Sequence, residues 1–523
     1  MRKHTWIYYI FFLTLGLFIG THLTKYLSRP KVTFGALDQI RHLIVNSYVD
    51  TVDLTRLNEA AIEAMLNTLD PYSVYLPATI AREADEELQG RFDGIGVQFR
   101  MIDDTVTIMQ PVSGGPSERI GILAGDKIIS VEGESIAGVN MHTDEVMKRL
   151  RGPKGTTVNV EILRFGIAKP LKFAIVRDAI PTHSVDVDFM VDESIGYIKL
   201  SKFSATTSKE IRNALQRLKK QGMDKLIFDL RGNAGGFLHE AIAVADEFLP
   251  EGNLIVYTEG RNRPRQEAVA TRQGIFEGKP VVIIIDEWSA SASEIIAGAL
   301  QDNDLATIVG RRSFGKGLVQ EQIRLTNGGS IRLTVARYHT PSGRDIQTPF
   351  IPGQPDLEEE LIRRYTSGEL FSFDSVRLDT TQRFQTLQGR TVYGGGGIMP
   401  DVFVPHRSDS TLIYINQLNR ISFRYIFSYS NENRQKLLST YPNVTAFKQN
   451  FEVSQTMLDG LIAYGRSHGL QPDLRSIEIH GQRLRTLLKA NIARNLFGDN
   501  GFYPIFLPLD EDFRAALGIL QKK

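Results

Sequence analysis

The sequence predicts a layered α/β domain, preceded by a smaller domain of short strands and flanked by helical regions at both ends. Three observations carry this. Val281 to Ile285 is a run of five β-branched residues, followed by a turn, a stretch of small residues and a helical run, Ile295 to Gln301. It is too short to span a membrane and suits a strand buried on both faces. Before it, strand-like and helix-like segments alternate: Ile195 to Leu200, Thr207 to Gln221, Lys225 to Leu230, Leu238 to Phe248. From about 90 to 177 the pattern changes to short alternating strands punctuated by glycine turns.

Composition narrows the function. At 523 residues and 42% hydrophobic content, the chain has room for roughly two to four domains with real cores. A net charge of +1 gives no electrostatic reason to expect nucleic acid. The absence of cysteine excludes disulfides, thiol nucleophiles and cysteine-based zinc sites. None of the 10 histidines shows ligand spacing, so neither a metal nor a cofactor is expected.

Residues 1–31 read as a targeting segment. Arg2, Lys3 and His4 precede an apolar run from Trp6 to Gly20, and Lys25, Arg29 and Lys31 follow. No small-x-small cleavage site lies near Gly20, which favours an uncleaved signal anchor over a removed signal peptide. Basic residues ahead of the run keep the N-terminus cytoplasmic and export the rest. The expected location is therefore the cell envelope, on the periplasmic side of the inner membrane. Residues 32–88 show helical apolar spacing (Leu37, Ile40, Leu43, Ile44; then Leu57, Ala61, Ala64, Met65) that ends at Asp70-Pro71. They read as a helical arm for packing or dimerisation.

The stretch 89–178 contains Gly94-Ile95-Gly96-Val97 entering a strand, then Ala124-Gly125-Asp126, the helix His142 to Leu150, and the turn Arg151-Gly152-Pro153-Lys154-Gly155. This ordered set resembles a PDZ domain. The resemblance implies that Gly94, Ile95, Gly96 and Val97 form the loop whose N–H groups take a peptide's terminal carboxylate, the peptide adding as a strand.

The α/β region, 179–405, carries the chemistry. After Leu230 comes Arg231-Gly232-Asn233-Ala234-Gly235-Gly236, a corner where a backbone N–H can face a ligand. After Ile285 comes Ser289-Ala290-Ser291-Ala292-Ser293-Glu294, and beyond it Ser313-Phe314-Gly315-Lys316-Gly317. Ser291-x-x-Glu294 also fits a capping box. A serine nucleophile needs a base. No feature ties His183, His239 or His339 to Ser291, whereas Lys316 becomes a base if burial lowers its pKa. Gly310 to Lys316 satisfies G-x-x-x-x-G-K, but Gly317 replaces the P-loop hydroxyl, which argues against nucleotide.

Taken together, Ser289 to Ile295, Phe314-Gly315-Lys316-Gly317 and Gln320 resemble the carboxy-terminal processing (tail-specific) proteases. Leu69-Asp70-Pro71-Tyr72-Ser73, Asp229-Leu230-Arg231, Thr340 to Arg344 and Gly395 to Asp401 match the same pattern. The resemblance covers roughly 35–405. It implies a crotonase-like (ClpP/crotonase-type) protease core with an inserted PDZ domain and a Ser/Lys dyad. Carried over by position, Ser291 is the nucleophile, Lys316 the base and Gln320 its orienting partner, with Ala292 and Gly236 N–H groups as oxyanion hole. The implied partners are peptides and proteins with free C-termini. The competing reading is a membrane-tethered PDZ adaptor with an inactive core. Residues 350–391 read as a linker or lid. Residues 406–523 read as a helical domain for assembly into a homo-oligomer, from the apolar spacing of Leu412 to Tyr425, Phe447 to Ser467, Arg475 to Leu496 and Phe513 to Leu520.

Overall fold

A computed structural model describes residues 11–18, 35–350, 357–407 and 409–522. The chain divides into two units, Met1–Met65 and Leu66–Lys523. In the first, residues 11–18 are helical, and the helix Ala36–Ser47 buries none of its residues, leaving Leu37, Ile40 and Leu43 exposed. Residues 6–10 and 19–20 of the apolar run Trp6 to Gly20 lie outside the described residues. Among the described residues, no helix is long and apolar enough to cross a membrane.

The second unit is built on a six-stranded sheet. In spatial order its strands are Val185–Met190, Ile195–Leu200, Lys225–Asp229, Val281–Ile285, Ala306–Gly310 and Val402–Phe403. The first pair is antiparallel and the rest are parallel. All of Val281–Ile285 is buried because side chains alternate between two cores. Ile283 and Ile285 join Phe228 and Ile308 under the helices Thr207–Lys220, Leu238–Ala245 and Ala292–Asp302. Val282 and Ile284 face the other way, with Tyr197 and Val309, against Phe513, Ala516 and Leu520 of the helix Glu511–Lys522.

Part of the region read as a helical C-terminal domain, 406–523, thus packs on the six-stranded sheet. The helices between Ile413 and Phe506 share a core of their own, whereas the helix Glu511–Lys522 returns to cover the six-stranded sheet. Phe513 is 3% exposed. Phe513→Ala therefore costs about 3–5 kcal/mol by transfer and cavity terms, read as a fall in the urea midpoint.

A second sheet pairs Ser330–His339 with Leu318–Arg324, with Leu254–Gly260 and with Val74–Leu76. Residues 74–76, expected to continue the helical arm, are thus a short strand. Asp70 sets up this turn: its Oδ1 accepts the N–H groups of Tyr72 and Ser73 and the Thr334 hydroxyl, each at 3.0 Å.

The inserted domain has a sheet in the order Val97–Ile102, Thr105–Pro111, Lys127–Val131, Thr157–Leu163 and Leu171–Val176, with a separate core that includes Ile108, Ile128, Val146 and Ile162. Val97–Ile102 is an edge strand. A two-stranded ribbon, Arg91–Gly94 against Asp178–Pro181, links the domain to the rest. On its far side Arg100 lies 4.1 Å from the Phe423 ring, and Arg424 pairs with Asp103. The expected linker or lid holds a helix, Leu357–Thr366, and a hairpin, Arg383–Gln385 with Thr391–Tyr393.

Candidate active site

Three parallel strands deliver three corners to one end of the sheet: Arg231–Gly236 after Lys225–Asp229, Asp286–Ser291 after Val281–Ile285, and Arg311–Gly317 after Ala306–Gly310. Carboxyl ends of parallel strands are where such sheets bind ligands.

The three alternating serines have distinct jobs. Ser289 is fully buried and its hydroxyl donates to Leu230 O at 2.9 Å. Ser293 is fully buried and donates to Asn233 O at 2.9 Å. Both pin the nucleophile turn to the glycine corner. Ser291, between them, is half-buried, and its hydroxyl proton has no acceptor among the described residues. Its backbone has φ +55° and ψ −112°, a region costly for a residue with a Cβ. Strain of this kind persists only where neighbours over-determine it. Here they do: Ala290 N–H donates to Asn233 O at 3.0 Å, and Ser291 N–H donates to Glu294 Oε2 at 2.7 Å. The Glu294 arm of the capping box is therefore made, and the Ser291 hydroxyl proton is left without an acceptor among the described residues.

Glycine is required beside it. A Cβ on Gly235 would lie 2.8 Å from Ser291 Cβ, and one on Gly236 would lie 2.1 Å from Phe203 O. Gly236 is exposed, and neither its N–H nor that of Ala292 finds an acceptor among the described residues.

Lys316 is brought to the same place by two shared anchors. Glu294, fully buried, accepts from Ser291 N–H, from Lys316 N–H at 2.9 Å, and from Gly315 N–H and Ser313 Oγ. Burial pushes the Glu294 carboxyl up, and these four hydrogen bonds oppose the shift. On the other side Tyr338 Oη lies 3.1 Å from Ser291 O and 2.5 Å from Lys316 O. Burial, aided by the nearby Arg332 charge, lowers the Lys316 pKa to about 8, against the opposing pull of Glu294 and Asp70.

Lys316 Nζ donates to Gln320 Oε1 at 2.8 Å and lies 4.8 Å from the Tyr72 ring centre. Gln320 is fixed in turn by donating Nε2–H to Tyr72 O. No hydrogen bond joins Lys316 Nζ to Ser291 Oγ among the described residues. The histidines stand apart: His339 stacks on Tyr257 at 4.7 Å, and His183 and His239 are exposed beside Glu210 and Glu240.

Sequence reasoning missed Tyr72 and Tyr338 as site residues and treated Glu294 only as a cap. The Leu69 to Ser73 match was the available signal for Tyr72, but nothing in the sequence says that it meets Lys316. Asp229 and Arg231 form a buried network on the sheet's other side. Burial pushes the Asp229 carboxyl up, yet Arg231 and Lys199 outweigh it and hold it well below the usual carboxylate range. Arg231 continues to Asp510 and Asp512. In the inserted domain Gly94 closes the ribbon, Gly96 has φ +71°, and Val97 begins the edge strand. The Ile95 carbonyl is turned inward to accept Ser117 N–H and Oγ–H, at 3.1 and 2.6 Å.

Comparison with known proteins fits this arrangement. The family Peptidase family S41 matches residues 194–358, and PDZ domain matches 94–175. The chain is 40% identical over 323 residues to the carboxy-terminal-processing protease of Bartonella bacilliformis, covering 61% of this chain and 73% of that protein. The chain belongs to the carboxy-terminal processing protease family. Within Bacillus subtilis, the carboxy-terminal processing proteases CtpB and CtpA are 36% and 35% identical, with 72% and 69% of their lengths covered. As a member of this family the protein is a serine-type endopeptidase with a PDZ domain. Residues 24–79 match the activating protease CtpB N-terminal domain, and residues 414–498 match a family of unknown function (DUF8443). Residues 359–413 lie between the S41 match and that last one.

Proposed function

We propose that this protease captures free C-termini of exported or membrane proteins in its PDZ domain and cleaves the chains with Ser291 as nucleophile and Lys316 as base. The observation that supports it is the pair of shared anchors, Glu294 and Tyr338, which tie the backbone of a serine with a free hydroxyl proton to that of a lysine whose charged form is disfavoured by burial.

In the first step neutral Lys316 Nζ takes the Ser291 proton as Oγ attacks the scissile carbonyl carbon. The amine meets Oγ as substrate closes the site, since catalytic hydrogen bonds tighten in the Michaelis complex. Charge develops on the carbonyl oxygen, where the free N–H groups of Ala292 and Gly236 donate; each such donor is typically worth about 3 kcal/mol. The lysinium then protonates the leaving amine as the C–N bond breaks. Water, deprotonated by Lys316, attacks the acyl-enzyme and releases the new carboxylate, restoring Ser291. Gln320 orients Lys316 throughout. No step calls on a metal or cofactor.

Tail selection is assigned to the groove between Val97–Ile102 and the helix Thr143–Leu150, with Gly94 to Val97 at its closed end. The N-terminal apolar run with its basic flank supports a location at the cell envelope, anchored on the periplasmic face of the inner membrane, and the helical arm supports a homo-oligomer. A peptide with a free C-terminus and its C-terminal amide distinguish tail capture from simple proximity. The free acid is expected to show the lower KM by about tenfold, since one charge-assisted hydrogen-bonded group is lost in the amide. Equal kcat/KM for the two would remove the PDZ domain from substrate selection.

A further inference from the structure

We propose that Arg364, on the helix Leu357–Thr366, is a positioning residue for peptide hydrolysis: it fixes the backbone that presents Lys316 to Ser291. This rests on the dyad assignment above. The helix begins where the S41 match ends, so the contact comes from a segment outside that match.

Arg364 is 2% exposed and its guanidinium is fully committed. Nη2 donates to Arg312 O at 2.6 Å, Nη1 to Ser313 O at 3.1 Å and Nε to Glu369 Oε1 at 2.8 Å. Glu369 also takes Arg312, Nε and Nη2 each at 2.8 Å, and Arg312 Nη1 donates to Gly396 O. Glu360 lies 3.8 Å from Arg312. Two buried guanidinia thus share chiefly one carboxylate. As a stabilising device this is poor, because desolvating charges costs more than an apolar contact of the same volume. A guanidinium does one thing an apolar side chain cannot: its fork fixes two successive carbonyls.

Those carbonyls head a continuous tether. Ser313 Oγ donates to Glu294 Oε1 and accepts Ile398 N–H at 2.6 Å. Gly315 and Lys316 then give their N–H groups to the same carboxylate that holds Ser291. Arg312 and Ser313 are therefore held from behind by Arg364, and Ser313, Gly315 and Lys316 from within by Glu294, while Phe314 between them gives its N–H to Ser289 O at 3.0 Å. Releasing the first end lets the loop drift from Ser291 and lets water reach Lys316.

The test is steady-state peptide hydrolysis by the full chain across pH. Arg364→Met leaves the Arg312–Glu369 pair intact. It is expected to lower kcat by about 100-fold, the loss typical of an ångström-scale misplacement, with little change in KM. The acid limb of kcat/KM moves to higher pH as Lys316 gains water, while the groups facing its amine (Arg332, Glu294, Asp70 and Tyr72) are unaltered. A merely structural arginine would lower the amount of active enzyme and leave that limb in place. Should Arg364→Met fail to fold, Arg364→Lys, which keeps a charge opposite Glu369 but loses the fork, carries the same expectation with a smaller loss. An unchanged kcat, or a lowered kcat with an unmoved acid limb, overturns the proposal. Failure of the dyad itself shows separately, as turnover by Ser291→Ala.

Discussion

Ser291→Ala abolishes peptide hydrolysis and leaves the chain folded. Removing the nucleophile of a serine peptidase typically costs roughly 10⁶-fold in kcat. The fold survives because the Ser291 hydroxyl donates to nothing among the described residues, while the backbone N–H that holds the turn to Glu294 is retained. The neighbouring serines supply the control. Ser289→Ala and Ser293→Ala each remove a buried donor from a carbonyl of the glycine corner, which costs about 1–3 kcal/mol of stability. They lower the melting temperature and keep measurable turnover. Turnover by Ser291→Ala within tenfold of wild type would place the nucleophile elsewhere.

Lys316→Arg is expected to be nearly as damaging. A guanidinium stays protonated throughout the working pH range and cannot accept the serine proton. In the wild type the base must be neutral, so kcat/KM rises with pH and levels off above about 8, the value to which burial lowers this lysine. The same shift has a stability sign. Below about 8 the ammonium is charged in both folded and unfolded chains, and its burial cost is present in full. Between about 8 and the ordinary 10.5 the unfolded chain binds more protons, so wild-type stability rises with pH. Lys316→Met should therefore melt above wild type at pH 7, with the gap closing across that window. A flat pH profile, or a Met variant that melts below wild type at pH 7, would contradict a desolvated base.

The sheet and its serine corner were legible because their signals are local. Five consecutive β-branched residues announce a strand buried on both faces, and small residues after it announce a close approach. Val74–Leu76 was not legible: three residues next to a helical pattern carry no period, and only pairing with Ser330–Arg332 makes them a strand. Tyr338 was hidden for a related reason, since a tyrosine in a strand looks like packing until its hydroxyl is seen between two carbonyls. Glu294 shows the limit most clearly. The capping box explains its spacing fully, so nothing in the sequence hinted that the same carboxylate gathers the lysine loop. Arg364 sits in a stretch whose partners, Arg312 and Ser313, are about 50 residues away, and no pattern reading reaches that far.

The helix Glu511–Lys522 also ties the sheet to residues far away along the chain. Asp512 meets Arg311 across 201 residues and Arg231 across 281. Without that helix Tyr197, Val282 and Ile284 would lose apolar cover, and Arg231 and Arg311 would keep Asp229 and Glu287 but lose Asp512. The strands that carry the Ser291 and Lys316 corners thus lean on a distant segment, so loss of that helix is expected to lower stability and turnover together.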